Sequence, residues 1–153
     1  MKTISPSPIE GTITAPPSKS AMIRAVAASL LADGISEILN PSFCDDALAS
    51  LGISETFGAD ITIKPELISV NGYGGPGEGK VRKNTVNCYE SGLCMRMFTP
   101  IAGLTGEEII LDGSGSLLKR PLNVEEVMNA LGAQCTSQNG FAPIRIKGAI
   151  SGG

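Results

Sequence analysis

The sequence predicts a mixed α/β (α+β) fold made of two copies of a β-α-β-α-β-β unit, and three observations carry that prediction. Strand-like runs of period two alternate with runs whose apolar positions recur near every 3.6 residues. Gly and Pro, 19 and 10 of the 153 residues, punctuate these runs as turn signals. The chain also matches itself when displaced by 72 residues, and self-similarity at a fixed spacing marks a repeated supersecondary unit.

In the first copy, residues 10–14 read as a short strand running into Ala15-Pro16-Pro17. A helix is expected over 19–32, with Ile23, Val26, Ala27, Leu30 and Leu31 on one face, and Asp33-Gly34 as its C-cap signal. Residues 35–39 form a strand, and Asp45-Asp46 opens a second helix that ends near Gly58. Residues 61–64 and 67–71 alternate as a hairpin about Pro65-Glu66, and 72–79 is expected to be a flexible connection.

The second copy repeats the order. A strand at 85–88 leads into a helix over 91–104, capped by Thr105-Gly106. A strand at 108–111, a helix at 124–131, and strands at Cys135-Thr136 and 144–147 complete it. In register, Ser20 falls on Gly92, Arg24 on Arg96, Gly34 on Gly106, Ile38 on Ile110 and Leu39 on Leu111. Phe57-Gly58-Ala59 parallels Leu131-Gly132-Ala133 with a small slip, and "LISVNG" at 67–72 parallels "PIRIKG" at 143–148. Residues 1–14 are therefore expected to be an N-terminal strand segment. Residues 15–153 would hold two complete units and the start of a third at Gly148, cut off at the end of the chain.

Composition narrows the function classes. With 42% hydrophobic and 18% charged residues, the chain has enough apolar mass for a packed core. Only 4% of residues are aromatic, with no Trp, so the core is aliphatic and a base-stacking nucleic-acid platform is disfavoured. A net charge of −3 supplies no basic stripe for DNA or RNA, so any bound anion must be met by a few placed cations. Cys44, Cys88, Cys94 and Cys135 show no C-x-x-C spacing, and there is no His to join them in a zinc site. They read as small buried apolar residues of a reducing compartment. The N-terminus does not read as a signal or transit peptide and no apolar run is long enough for a membrane span, so the cytoplasm is the expected location. The absence of His removes the usual general acid–base and the Ser-His and Cys-His pairs. Any chemistry must use Lys, Asp or Glu, or lie outside this chain.

Three stretches could carry that chemistry. In "PPSKSAMIRA", Ser18-Lys19-Ser20 stand at a helix mouth with Arg24 one turn further in. Free N–H groups and the helix dipole favour an anion there. An N-cap serine followed by two solvated cations is the alternative that needs no ligand. However, Lys and Arg in the first turns oppose the dipole, which tips the balance toward an anion site. In "CYESGLCMRMF", Ser91-Gly92 occupy the matching helix start and Arg96 matches Arg24. There Gly92 permits close backbone approach, and pairing of Arg96 with Glu90 or another carboxylate is the alternative. In "LDGSGSLLKRPL", a strand ends in a Gly/Ser-rich loop that brings Lys119, Arg120 and Pro121 toward the next helix. Loops at the carboxyl ends of strands are where α/β proteins place ligands. Arg120, preceding proline, is held extended, although the Lys-Arg pair could equally be a solvated loop feature.

Together these stretches resemble the 5-enolpyruvylshikimate-3-phosphate synthase family of enolpyruvyl transferases. "PPSKSAMIRA" stands for the family's P-G-S-K-S-x-x-x-R-A opening, "SGLCMR" for A-G-T-x-x-R, and "GSGSLLKRPL" for G-x-x-S-L-x-x-R-P-M. The resemblance covers the whole chain and well under half of a complete synthase. It implies a fold of two domains, each with three β-α-β-α-β-β units, and substrates bound between them. It also implies transfer of the enolpyruvyl group of phosphoenolpyruvate to the 5-hydroxyl of shikimate 3-phosphate, releasing phosphate, with no metal or organic cofactor. The complete protein would be a monomer acting on these small molecules, without nucleic acid or membrane.

By the same resemblance, Lys19, Ser20 and Arg24 match positions that hold shikimate 3-phosphate, and Lys19 also reaches phosphoenolpyruvate. Gly92 and Arg120 match phosphoenolpyruvate-binding positions, and Arg96 matches a supporting arginine. The N-terminal strand segment would associate with the second domain. The acid–base carboxylates and a Ser-Ser-Gln phosphate loop would lie past residue 153, so this chain alone is expected to be inactive. Departures from the family pattern include Pro17 for a glycine, Glu90 for an asparagine and Leu93 for a threonine. Glu90 and Leu93 flank Gly92, so they bear on the shape and charge of the phosphoenolpyruvate pocket and its response to mimics such as glyphosate. Two other readings stay open. One is the sister transferase acting on UDP-N-acetylglucosamine, which reads Lys-Asn at Lys19-Ser20 and carries a loop cysteine where residues 110–120 have none. The other is a non-enzymatic phosphate-binding module.

Overall fold

The computed structural model describes residues 2–74, 81–148 and 150–151. Its elements follow the repeated order. Helix α1 (Lys19–Leu31), strand β1 (Asp33–Leu39), helix α2 (Asp45–Thr56) and the hairpin β2 (Asp60–Lys64) and β3 (Leu67–Tyr73) form the first copy. Strand β4 (Thr85–Asn87), helix α3 (Gly92–Ala102), strand β5 (Glu108–Asp112), a 3-10 helix (Gly115–Lys119), helix α4 (Glu125–Ala130) and strands β6 (Gln134–Gln138) and β7 (Phe141–Lys147) form the second.

Each copy builds one sheet. The first has the order β1-β3-β2, wholly antiparallel, with Ile38, Ile68 and Ile63 in one cross-strand row. The second has the order β4-β5-β7-β6. Here β4 runs parallel to β5, with Val86 opposite Leu111, and the remaining pairs are antiparallel. Equivalent strands occupy equivalent places, but among the described residues the first sheet has no counterpart of β4. Residues 10–14, expected to be that strand, form none. Residues 2–18 carry no regular structure, and Ile9 and Ile13 are 95% and 92% exposed. A single strand with neither a hydrogen-bonding neighbour nor a face to bury has nothing to hold it in place.

Between the sheets lie the helices. Helix α1 packs on β3 and β1, α3 packs on β5 and β7, and α1, α2 and α3 touch one another. The core is aliphatic as expected, with Ile23, Leu30, Ile53, Ile68, Ile109, Leu111 and Ile144 inaccessible or nearly so. It is bridged between the two copies by the stacked rings of Phe57 and Phe98, whose centroids lie 6.3 Å apart. Among the described residues no helix is long and apolar enough to cross a membrane.

One glycine pair explains why "LISVNG" and "PIRIKG" end alike. A Cβ at Gly72 would collide with the carbonyl oxygens of Ser29, Leu30 and Ala32 at the end of α1. A Cβ at Gly148 would collide with the carbonyl of Gly103 at the end of α3. In both copies the last strand reaches the end of the first helix so closely that only glycine fits.

Several boundaries differ from expectation. Asp33-Gly34 does not cap α1. The helix ends at Ala32, whose backbone is extended (φ −73°, ψ 148°), and Asp33 and Gly34 already pair with Tyr73 and Gly72 in the sheet. Likewise α3 closes at Gly103, before Thr105-Gly106. Of the expected flexible connection at 72–79, Gly72 and Tyr73 belong to β3, and 75–80 lie outside the described residues. The expected third unit carries no regular element at the described positions 148, 150 and 151.

Candidate functional site

Helices α1 and α3 begin in the same way. Ser18 is extended, and its hydroxyl accepts a hydrogen bond from the Ala21 N–H at 3.3 Å; the Ser91 hydroxyl accepts from the Cys94 N–H at 3.2 Å. The capping serine of α1 is thus Ser18, which leaves Lys19 and half-buried Ser20 in the first turn. The caps stand one residue out of step with the 72-residue sequence match, so Arg24 and Arg96 occupy different places along their helices. Each still donates from Nη1 to the carbonyl four residues back, Arg24 to Ser20 at 3.2 Å and Arg96 to Gly92 at 3.4 Å. Arg96 also donates to the Pro121 carbonyl at 3.1 Å, which ties α3 to the 120–121 loop. It does not pair with Glu90.

The start of α2 joins these two helices. The Lys19 ammonium donates to Asp46 Oδ2 at 2.8 Å, and the Cys94 thiol donates to the Asp46 carbonyl oxygen at 3.4 Å. Three helix N-termini therefore meet, each contributing unpaired N–H groups and a partial positive charge. The hydrogen bond to Asp46, and then its charge, raises the pKa of Lys19 above the ordinary value, so the side chain stays an ammonium. Asp46 was not expected at the site. Only its helix-starting character was legible, because its partner lies 27 residues away.

A second cluster gathers at the carboxyl ends of the parallel pair β4 and β5. Gly92 is buried, and a Cβ there would lie 3.3 Å from Arg96 Nη1 and 3.9 Å from Arg120 Nη1. Two guanidinium groups thus flank the first residue of α3. Arg120 is extended as expected before Pro121 (φ −105°, ψ 128°), and its Nη2 donates to Ser116 Oγ at 2.8 Å. The Gly/Ser-rich stretch is not an open loop: residues 115–119 form the 3-10 helix, anchored by the fully buried Leu117. The Ser114 N–H donates to the Tyr89 carbonyl at 2.7 Å, and the Ser116 N–H donates to Glu90 Oε2 at 2.8 Å. Hydrogen bonding from Ser116, with a smaller effect of the Arg120 charge, lowers the Glu90 carboxyl below its ordinary pKa.

The structure brings Gly92, Arg96 and Arg120 together, and links Lys19 to α3 through Asp46. Arg24 folds back along α1. Beside these groups an open cavity of about 500 Å³ lies between α2 and the 89–90 and 114 loops, and Asp45, Asp46 and Glu90 line it. Its carboxylates make it unsuited to an anion, which would be received by the α1 and α3 starts and the guanidinium groups instead. Three cysteines are buried as expected, and burial pushes the Cys94 and Cys135 thiols up to about 11 and Cys88 higher still. Cys44 corrects that expectation: it is exposed as the residue preceding α2. Among the described residues, no group of three or more His, Cys, Asp and Glu side chains is placed to hold a metal ion.

Comparison with known proteins gives the family and the fold. The family described as EPSP synthase (3-phosphoshikimate 1-carboxyvinyltransferase) matches residues 4–153. A 3-phosphoshikimate 1-carboxyvinyltransferase of Methanothermobacter thermautotrophicus is 36% identical over 148 residues, covering 95% of this chain and 35% of that protein. Its counterpart in Methanobrevibacter smithii is 39% identical over 159 residues, covering 100% and 35%. Among solved structures, EPSP synthase from Acinetobacter baumannii matches with a TM-score of 0.82 at 26% identity, covering 91% of this chain and 32% of its own. The enolpyruvyl transferase NikO from Streptomyces tendae, at 14% identity and a TM-score of 0.60, shares the fold. The chain spans about a third of the length of these relatives. By sequence and fold, this chain belongs to the EPSP synthase family and corresponds to the N-terminal portion of such a protein.

Proposed function

We propose that this chain carries one side of a shikimate 3-phosphate and phosphoenolpyruvate site, within a complete protein that transfers the enolpyruvyl group to the 5-hydroxyl of shikimate 3-phosphate and releases phosphate. The observation that carries this proposal is the meeting of the α1, α2 and α3 N-termini, with Lys19 at one and Gly92, flanked by Arg96 and Arg120, at another. Two polyanions held side by side need charge neutralisation and positioning above all. Lys19 would stand between both substrates, with Ser20 and Arg24 on the shikimate 3-phosphate. The Gly92 backbone and Arg120 would fix phosphoenolpyruvate, and Arg96 would brace them. Proton transfers fall to carboxylates outside this chain, brought in when the domains close and exclude water. The complete protein would act as a cytoplasmic monomer on small molecules.

An NMR titration of the chain with shikimate 3-phosphate tests this, with inorganic phosphate and UDP-N-acetylglucosamine as controls. We expect selective shifts at Lys19, Ser20 and Arg24 and no turnover by the chain alone. A selective response to UDP-N-acetylglucosamine would favour the sister activity, although Ser20 and the lack of cysteine at 110–120 speak against it. Equal shifts with every phosphate would leave an unselective anion-binding module, and turnover by the isolated chain would overturn the division of labour.

A further inference from the structure

Glu90 is an exposed carboxylate close to Arg120, the arginine proposed for an anion, and electrostatics alone would call it a handicap. Its contacts suggest otherwise. Its Oε2 accepts the Ser116 N–H at 2.8 Å, and Ser116 Oγ accepts from Arg120 Nη2 at 2.8 Å. Ser116 thus links Glu90 to Arg120: its N–H donates to Glu90, while its hydroxyl accepts from Arg120 and also lies by the Glu90 carboxylate. The carboxylate also lies against Gly115, where a Cβ would come within 2.5 Å of Glu90 Cδ and where φ is +53°. Glycine at 115 is therefore what lets Glu90 close over the 3-10 helix. Because Glu90 directly precedes the Ser91 cap of α3, the contact fixes Arg120 relative to the helix start that holds Gly92.

We propose that Glu90 is a positioning residue which, acting through Ser116, holds the Arg120 guanidinium over Gly92 and so sets the phosphoenolpyruvate side of the site. The ligand in this proposal rests on the function proposed above; the Glu90–Ser116–Arg120 link does not. An arginine already ordered by this link loses less side-chain freedom when an anion binds. The same carboxylate carries a like charge toward that anion, so its two effects on binding oppose each other and can be separated by substitution.

Three variants of the full chain separate them: Glu90→Ala, Glu90→Gln and Ser116→Ala. The Arg120 Nε–H order is read by ¹⁵N relaxation, and phosphoenolpyruvate affinity by titration. Glu90→Ala removes the acceptor, so Arg120 should become mobile and affinity should fall roughly three- to tenfold even though a negative charge has gone. Glu90→Gln keeps an acceptor for the Ser116 N–H and sheds the charge, so Arg120 should stay ordered and affinity should match or exceed the parent. Ser116→Ala keeps the main-chain bond but frees Arg120, and should behave like Glu90→Ala. Equal tightening by Glu90→Ala and Glu90→Gln would mean that the carboxylate acts by charge alone, and would overturn the proposal. So would an Arg120 as ordered in Glu90→Ala as in the parent. If the parent does not bind phosphoenolpyruvate, the function proposed above fails on that count, and Arg120 order across the variants still decides the role of Glu90.

Discussion

Lys19 and Glu90 show how a single partner sets the state of a residue. Asp46 raises the Lys19 pKa, so the contribution of that pair to stability is fully present below the unfolded value near 10.5 and is lost as pH rises through the higher folded value. Glu90 is the mirror case: its contribution is present above about 4.5 and is lost as pH falls through the lower folded value. Replacing Asp46 with Asn removes the charge and weakens the hydrogen bond, so the Lys19 midpoint should drop toward the ordinary value. Following the Lys19 Cε resonance against pH checks this, and an unmoved midpoint would show that Asp46 is not the cause. At this scale the sequence revealed which residue types could meet an anion. It did not reveal their partners: Asp46 and Ser116 stand 27 and 26 residues from the groups they bind, and only the fold brings them close.

Among the elements, those legible in the sequence bury a face locally. The hairpin β2–β3 and helices α1 and α3 had periodic apolar positions and a repeat to confirm them. Residues 10–14 also read as a strand, yet form none, because pairing depends on a neighbour that a sequence pattern cannot supply. The 3-10 helix at 115–119 was hidden by its Gly and Ser residues, and the buried Leu117 and the Ser116–Glu90 contact that hold it become visible only in the fold. Two glycines give opposite predictions. Gly72→Ala drives a methyl into the α1 carbonyls and should cost roughly 1–3 kcal/mol. Gly52→Ala, inside α2 with open space around it, should stabilise by about 0.5–1 kcal/mol. Urea denaturation of the two variants checks both signs at once.

As a whole, the molecule joins its two copies through helices rather than through a continuous sheet. Phe57 belongs to the first copy and Phe98 to the second, and both are fully buried. Phe98→Ala should therefore destabilise both sheets together, by about 3–5 kcal/mol, a large share of the roughly 5–15 kcal/mol that holds a typical domain together. Hydrogen exchange checks this: amide protection in β3 and β7 should fall in parallel, and loss confined to β7 would mean that the copies are stable independently.

The meeting of three helix N-termini also ties ligand to fold by mass action. All three starts are in place only when both copies are folded. An anion bound there has no comparable site on the unfolded chain, so its binding free energy is added to that of folding. At a concentration a hundred times its dissociation constant, such a ligand would contribute about 2.7 kcal/mol. The stability of this chain would then depend on how much of its proposed ligand is present as well as on its sequence.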